Sequence, residues 1–325
     1  SRVFERHRVI WGARMESYLQ KFSYIESGSN KEKFEDTNVV DLLPSVNYIF
    51  SVTQKMNLRA SYYRTVSRPE FRELAPFAFY NFVQLNIWSG DPNLKRALID
   101  NFDLRYEWFP GASQILSLTG FYKKFLNPIE AVQRTGVSGD PELYFTNATK
   151  VTNIGGELEY RLNLGFISKD TDHVFDNLTL YSNLALIKSR VDTVGILGAQ
   201  IRPLQGQSPY IINGGINYSL PKYGVNFSAS YNVVGPRIFV VGNIQEPHVW
   251  EKERHVIDFQ LAKTFLKKQN LEVKLNVRDV LANNQVFYQD INKNGKYDKG
   301  SESKDNIVRS IYFGPSYSVN LSFRF

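Results

Sequence analysis

Asp290-Ile-Asn-Lys-Asn-Gly-Lys-Tyr-Asp298 carries side-chain oxygens at positions one, three, five and nine: Asp290, Asn292, Asn294 and Asp298. A calcium loop wraps a hard cation with this spacing, using Gly295 at position six for the sharp turn and the Lys296 carbonyl at seven. The usual bidentate Glu at position twelve is absent; Ser301 stands there and Glu302 follows. No flanking helices are expected. Two readings stand side by side: a structural Ca2+ that stiffens a long loop, and a plain polar loop turning at Asn294-Gly295.

A second constellation is aromatic. Phe77, Phe79, Tyr80, Phe82 and Trp88 crowd the segment Pro76–Trp88, and Tyr144 and Phe145 stand together farther on. Exposed rings beside polar groups can stack on a sugar or an aromatic chelator. The alternative is that Phe77, Phe79 and Phe82 fill a packed loop or an interfacial girdle. Glu157, Glu159 and Arg161 alternate along the chain and should share one face, where they form a hydrated wall with one i, i+2 ion pair or line a solute path. His7, His173, His248 and His255 have no metal-ligand spacing. With no cysteine, disulfide and thiol chemistry are excluded. A hydrolase would need a nucleophile beside a base. Only His255 near a lumenal Ser is conceivable, so no enzyme is expected.

These residues must hang on strands. Tyr317, Val319, Leu321, Phe323 and Phe325 alternate with Ser316, Ser318, Asn320, Ser322 and Arg324. One face is apolar and the other polar, as in the closing strand of an outer-membrane barrel, and Phe325 is its terminal aromatic. The pattern repeats at Leu271, Val273, Leu275 and Val277, and again at Val225, Phe227, Ala229, Tyr231 and Val233. Twelve strands are predicted near 7–22, 39–52, 57–68, 99–109, 114–125, 151–164, 177–189, 207–220, 225–234, 252–266, 270–281 and 310–325. Short turns at Thr53–Met56, Pro110–Ser113, Pro221–Gly224 and Lys267–Gln269 alternate with long segments near 23–38, 69–98, 126–150, 190–206, 235–251 and 282–309; a medium connection lies near 165–176. A soluble sandwich does not separate loop lengths in this way; a membrane barrel does. In that register the long loops are extracellular and the C-terminus is periplasmic.

Composition agrees. The chain has 325 residues, 19 Tyr, 23 Phe and 4 Trp, enough aromatics for interfacial girdles. Mean hydropathy is −0.32, which a polar lumen and polar loops explain. No run of ~20 apolar residues marks a transmembrane helix. The net charge of +7 is scattered without a dense basic run, so nucleic acid is not expected as a partner. The chain begins Ser1-Arg-Val-Phe, without an initiator Met or signal region, and a leader upstream is expected.

Several ordered motifs extend this reading. Arg64-Thr-Val-Ser-Arg-Pro-Glu-Phe-Arg-Glu-Leu-Ala-Pro76, Gly90-Asp-Pro-Asn-Leu-Lys95, Asp103-Leu-Arg-Tyr-Glu-Trp-Phe109, Asn153-Ile-Gly-Gly-Glu-Leu-Glu159 and the aromatic end occur in an order that resembles the C-terminal barrel half of TonB-dependent outer-membrane receptors. The resemblance implies an all-β, transmembrane antiparallel barrel of 22 strands with an N-terminal plug. It also implies TonB-driven import of an iron chelate, cobalamin or oligosaccharide, and partners that include outer-membrane lipid, the TonB complex and a surface lipoprotein. Residues 1–325 then form a single barrel domain holding about the last twelve strands, without plug or N-terminal strands. The alternative is an autonomous twelve-stranded pore in the bacterial outer membrane.

Overall fold

The computed structural model describes residues 2–25, 29–82, 86–135, 141–167, 175–193, 200–243, 246–265, 270–292, 294–298 and 305–323. Thirteen strands form one antiparallel sheet in chain order. They are β1 (Arg2–Phe4), β2 (His7–Ile25), β3 (Glu32–Thr53), β4 (Met56–Ser67), β5 (Ala97–Trp108), β6 (Ile115–Leu126), β7 (Lys150–Asn163), β8 (Leu178–Thr193), β9 (Tyr210–Leu220), β10 (Val225–Val234), β11 (Arg254–Phe265), β12 (Leu271–Arg278) and β13 (Ser316–Phe323). The short strand Gln200–Arg202 adds to the end of β8. Eleven of the twelve predicted strands appear as β2 to β12, most within about three residues of the expected bounds; β3 starts seven residues earlier, at Glu32 rather than 39. The twelfth is shorter than expected: Asn306–Ile311 leaves the sheet and pairs elsewhere, and the wall strand starts only at Ser316.

The alternation becomes two faces through register. Leu58, Tyr106, Leu118, Leu158, Leu184 and Ile212 form one continuous cross-strand row from β4 to β9. The neighbouring row, Asn57, Glu107, Ser117, Glu159, Asn183 and Asn213, is polar throughout and lies on the opposite face. Leu104, Leu118, Ile154, Leu186, Leu261, Leu275, Val319 and Leu321 all stand exposed on the apolar face. Water does not stabilise a contiguous apolar surface of this extent, so the face is built for hydrocarbon.

The segment near 23–38 is not a loop. β2 and β3 pair without a break from His7↔Phe50 to Ile25↔Glu32, so this hairpin projects well beyond its neighbours. Polar residues such as Lys21 and Asp36, ion-paired at 2.9 Å, fill both faces there and hide the strand period. The β3–β4 ladder stops at Ser45↔Tyr63, directly before Pro44, which has no N–H with which to continue it. At the other end, the 3-10 turn Pro221–Tyr223 closes on Gly224, whose φ of 60° suits a residue without Cβ.

The buried core sits in the long connections. Phe79–Asn81, Asn86–Ser89, Ile129–Thr135 and Pro141–Asn147 form one sheet; Arg237–Val240, Val249–Glu251, Gln285–Gln289 and Asn306–Ile311 form another. A bridge from Val132 to Val241 joins them. Leu143, Val240, Val249 and Phe287 make one buried cluster, and Val132, Ile238 and Val241 a second. The long segments, expected as loops, thus fold together as a cap over the long-loop end. Among the described residues β1 pairs only with β2, and β13 only with β12, so the wall has two free edges.

Candidate functional site: the polar wall and its cap

The inner wall divides by chemistry. From β4 to β7 it is charged. Glu107 is buried and accepts from Arg59 (Nε–Oε2 2.8 Å) and Arg105 (Nε–Oε1 3.0 Å), while Arg105 also donates to Glu159 (Nη2–Oε2 2.8 Å). Glu159 therefore pairs across to β5, not along its own strand with Arg161 as expected. From β8 to β10 the wall is neutral: Asn183, Asn213, Asn217, Ser228, Ser230 and Asn232. A cleft of about 630 Å³ at the short-turn end is lined by both kinds, including Glu159, Arg161, Asn183, Asn213 and Asn217. Gly155 makes room for a ring: a Cβ there would lie 2.5 Å from Phe121, its cross-strand partner.

At the opposite mouth the Arg-Pro motif builds an ion cluster. Arg68 donates to Glu16 (2.7 Å) and to Asp41 (2.8 Å), and Arg96 donates to the other Asp41 oxygen (2.6 Å). Asp41 is 4% exposed. Two guanidinium groups supply the partners that a buried carboxylate requires. Pro69, which lacks an N–H to continue the ladder, follows the end of β4, and Arg68 just before it ties the chain leading into the cap to β2 and β3. Gly90 closes the following loop, where its N–H donates to the Ala75 carbonyl at 3.0 Å. Any Cβ at Gly90 would meet Ala75 and Glu73 backbone at 2.6 Å. Beside this loop, a cleft of about 280 Å³ is lined by Arg68, Glu70, Glu73, Ile99 and Gln205. Burial raises the Glu73 carboxyl above its ordinary range.

The aromatic residues part company. Phe77, Tyr80 and Phe82 are exposed, Phe82 at 81%, with the Tyr80 and Phe82 rings edge-to-face at 5.1 Å. Phe79 is half-buried under Arg72. Trp88 packs against the Leu143 cluster and Tyr144 against the Val132 cluster; Phe145 lies 5.2 Å from the Trp88 ring. These last three are half-buried in cap packing, whereas Phe77, Tyr80 and Phe82 are the exposed rings of the seven.

The loop of Asp290 is wound by its own hydrogen bonds. The buried Asp290 carboxylate accepts from Asn294 N (3.2 Å) and Gly295 N (2.8 Å), and Asn292 Nδ2 donates to Asp298 (2.7 Å). Asp305, missed in the sequence because it lies past position twelve, accepts from Asp298 N (2.8 Å). Burial and Asp290 push the neighbouring Tyr288 hydroxyl far above its usual range. Among the described residues no three carboxylates or imidazoles converge as a metal site, so a cation there would depend on the Asn292 and Asn294 amides. Ser301, Glu302, His173 and Phe325 lie outside the described residues.

The sequence matches the outer membrane protein beta-barrel family over residues 1–318. The chain belongs to this outer-membrane β-barrel family. No curated protein matches it in sequence. In structure this barrel protein is similar to the unliganded ferric citrate transporter FecA (TM-score 0.66, 13% identity, 99% of this chain and 43% of that one). It is also similar to the copper transporter OprC (0.62, 16%, 99% and 45%) and to the FrpB iron transporter from Neisseria meningitidis (0.55, 14%, 87% and 39%). The chain thus spans less than half the length of these structures. At such identities the likeness is one of fold, an antiparallel barrel wall; the family match supports the bacterial outer membrane as its location.

Two features of this barrel protein escaped the sequence. The mouth cluster joins Glu16, Asp41, Arg68 and Arg96, which sit far apart in the chain; only the Arg-Pro motif pointed to it. Between the strand added to β8 and the cap, Arg202 and Glu130 form a buried bidentate pair (2.8 and 2.6 Å) 72 residues apart, without any local signal. His255 is not beside a lumenal serine. It lies 2.7 Å from the Tyr231 hydroxyl, on the face that carries Phe227 and Phe259.

Proposed function

We propose that this chain is the C-terminal wall of a TonB-dependent receptor that imports a scarce solute across the outer membrane. One observation carries the reading: a sheet with a hydrocarbon face and a polar face leads, through a mouth of ion pairs, to a folded cap with three exposed rings. The long-loop end faces outward and the turns face the periplasm. Phe77, Tyr80 and Phe82 capture the solute, an iron chelate, cobalamin or oligosaccharide, and the polar wall passes it on. Replacing all three with Ser removes stacking of roughly 0.5–1.5 kcal/mol per ring pair. Uptake of each solute class by cells carrying the full-length protein is expected to fall for one class at low concentration. Unchanged uptake of all three would refute the assignment of these rings.

Two free edges support a larger barrel. Unpaired backbone groups in hydrocarbon cost several kcal/mol each, so further strands, about ten, are expected to close the wall around a plug. Residues 1–325 expressed with a signal peptide should give no heat-resistant barrel on gels. A stable monomeric barrel made of these strands alone would instead make the chain an autonomous pore.

The Asp290 loop is read as a structural Ca2+ site. Its oxygen spacing, Asp290, Asn292, Asn294 and Asp298 around Gly295, supports that reading. At a free Ca2+ of about 100 times Kd the cap should gain about 2.7 kcal/mol, and Asp290→Asn should abolish the gain. Hydrogen exchange at 285–298 that ignores Ca2+ would leave a plain polar loop.

A further inference from the structure

Where the apolar face of β6, β7 and β8 ends at the long-loop side, cations gather on that same face. Tyr122, Ile154 and Lys188 share one row. The next row holds Lys124, Thr152 and Arg190, and the one beyond holds Leu126, Lys150 and Asp192. Lys124, Lys150 and Lys188 are exposed. One strand earlier, Asp100 pairs with Lys124 across the sheet but is held by Arg64 at 2.8 and 3.0 Å. Asp192 is likewise held by Arg190 at 2.8 Å. Five cations therefore meet two carboxylates, and both carboxylates are engaged by arginines.

Like charges this close repel unless a counter-anion joins them. Strands lie about 4.8 Å apart, so Lys124 and Arg190 are roughly 10 Å from each other. Tyr62, Phe102 and Tyr122 lie in the row of Lys188, one row below Lys124 and Arg190, with ring centroids 4.9 and 6.3 Å apart, as in an interfacial belt. The cations thus stand at the level of lipid headgroups and not in the hydrocarbon. Their spread exceeds what a single phosphate bridges. Lysines act on phosphate as point charges, and the Thr152 hydroxyl between Lys124 and Arg190 adds a donor.

We propose that this collar binds a phosphorylated glycolipid headgroup bearing two phosphates, in the outer leaflet. Lys124, Lys150 and Lys188 take the phosphates, while the apolar rows below receive the acyl chains. The proposal rests on the long-loop end facing outward. The chain contains no cysteine, so a single Lys31→Cys at the β2–β3 tip reports orientation separately when intact cells are labelled with an impermeant maleimide.

The test uses the full-length protein reconstituted in phosphatidylcholine vesicles doped with diphosphoryl lipid A, dephosphorylated lipid A or phosphatidylglycerol. Retained lipid is counted by native mass spectrometry. Lys124→Gln/Lys150→Gln/Lys188→Gln should lower retention of diphosphoryl lipid A about a hundredfold, since each lysine contributes roughly fivefold at a charged lipid surface. Lys55→Gln/Lys222→Gln/Lys263→Gln, at the short-turn end, changes the charge equally and should retain it. Equal loss in both variants, or equal retention of phosphatidylglycerol and diphosphoryl lipid A, overturns the proposal. Labelling of Lys31→Cys only after lysis would overturn the orientation instead.

Discussion

Arg202→Met is expected to open the cap while leaving the wall intact. Arg202 and Glu130 are 4% and 1% exposed in their side chains and bind each other through two hydrogen bonds. Glu130 also accepts from Gln205 N at 3.0 Å, and Gln205 in turn accepts from Ala131 N and donates to the Phe239 carbonyl. Loss of the guanidinium leaves a buried carboxylate without its counter-charge, a loss of about 3–5 kcal/mol. The damage should stay local, because the pair joins the segments near 130, 202 and 239 and meets the wall only at the end of β8, near Val191. Hydrogen exchange should accelerate there and remain slow in β5 to β7. The double change Glu130→Met/Arg202→Met should recover most of the loss, since an apolar pair needs no counter-charge. If exchange in all three segments is unchanged by Arg202→Met, the pair does not hold the cap.

The second large effect concerns the wall. Leu275 lies opposite Leu261 and Val319 in one apolar row and is 44% exposed in the absence of lipid. Leu275→Arg should lower the stability of the full-length barrel in lipid vesicles by about 2–4 kcal/mol if the row sits near the bilayer midplane. Ser318→Arg, on the polar face, should change it by less than about 0.5 kcal/mol. Urea unfolding followed by Trp fluorescence measures both. A neutral Leu275→Arg would mean that this face does not meet hydrocarbon, and the outward reading of Tyr317, Val319 and Leu321 would go with it.

How far the sequence could be read depended on where each interaction partner lies. The wall was legible because strand alternation is local: Leu271, Val273, Leu275 and Val277 announce their face within seven residues. The extension of β2 and β3 past residue 22 was not, since both of its faces meet water and no apolar period marks it. The free strand β1 is too short, at three residues, to carry a pattern. The rings of Trp88, Tyr144 and Phe145 look no different in sequence from those of Phe77, Tyr80 and Phe82. Burial separates them, and burial is decided by segments near 240, 250 and 287 that arrive from elsewhere in the chain.

By itself the sequence determined an all-β chain of two-faced strands with short turns at one end and long connections at the other. Those features follow from a two-residue period and from turn chemistry, both of which act between near neighbours. Only the tertiary structure decided that the long connections fold into a cap with the protein's buried core. It also decided that Asp41 gathers two arginines, and that Glu159 answers Arg105. Each of these depends on groups dozens of residues apart being brought within 3 Å, which no local pattern encodes.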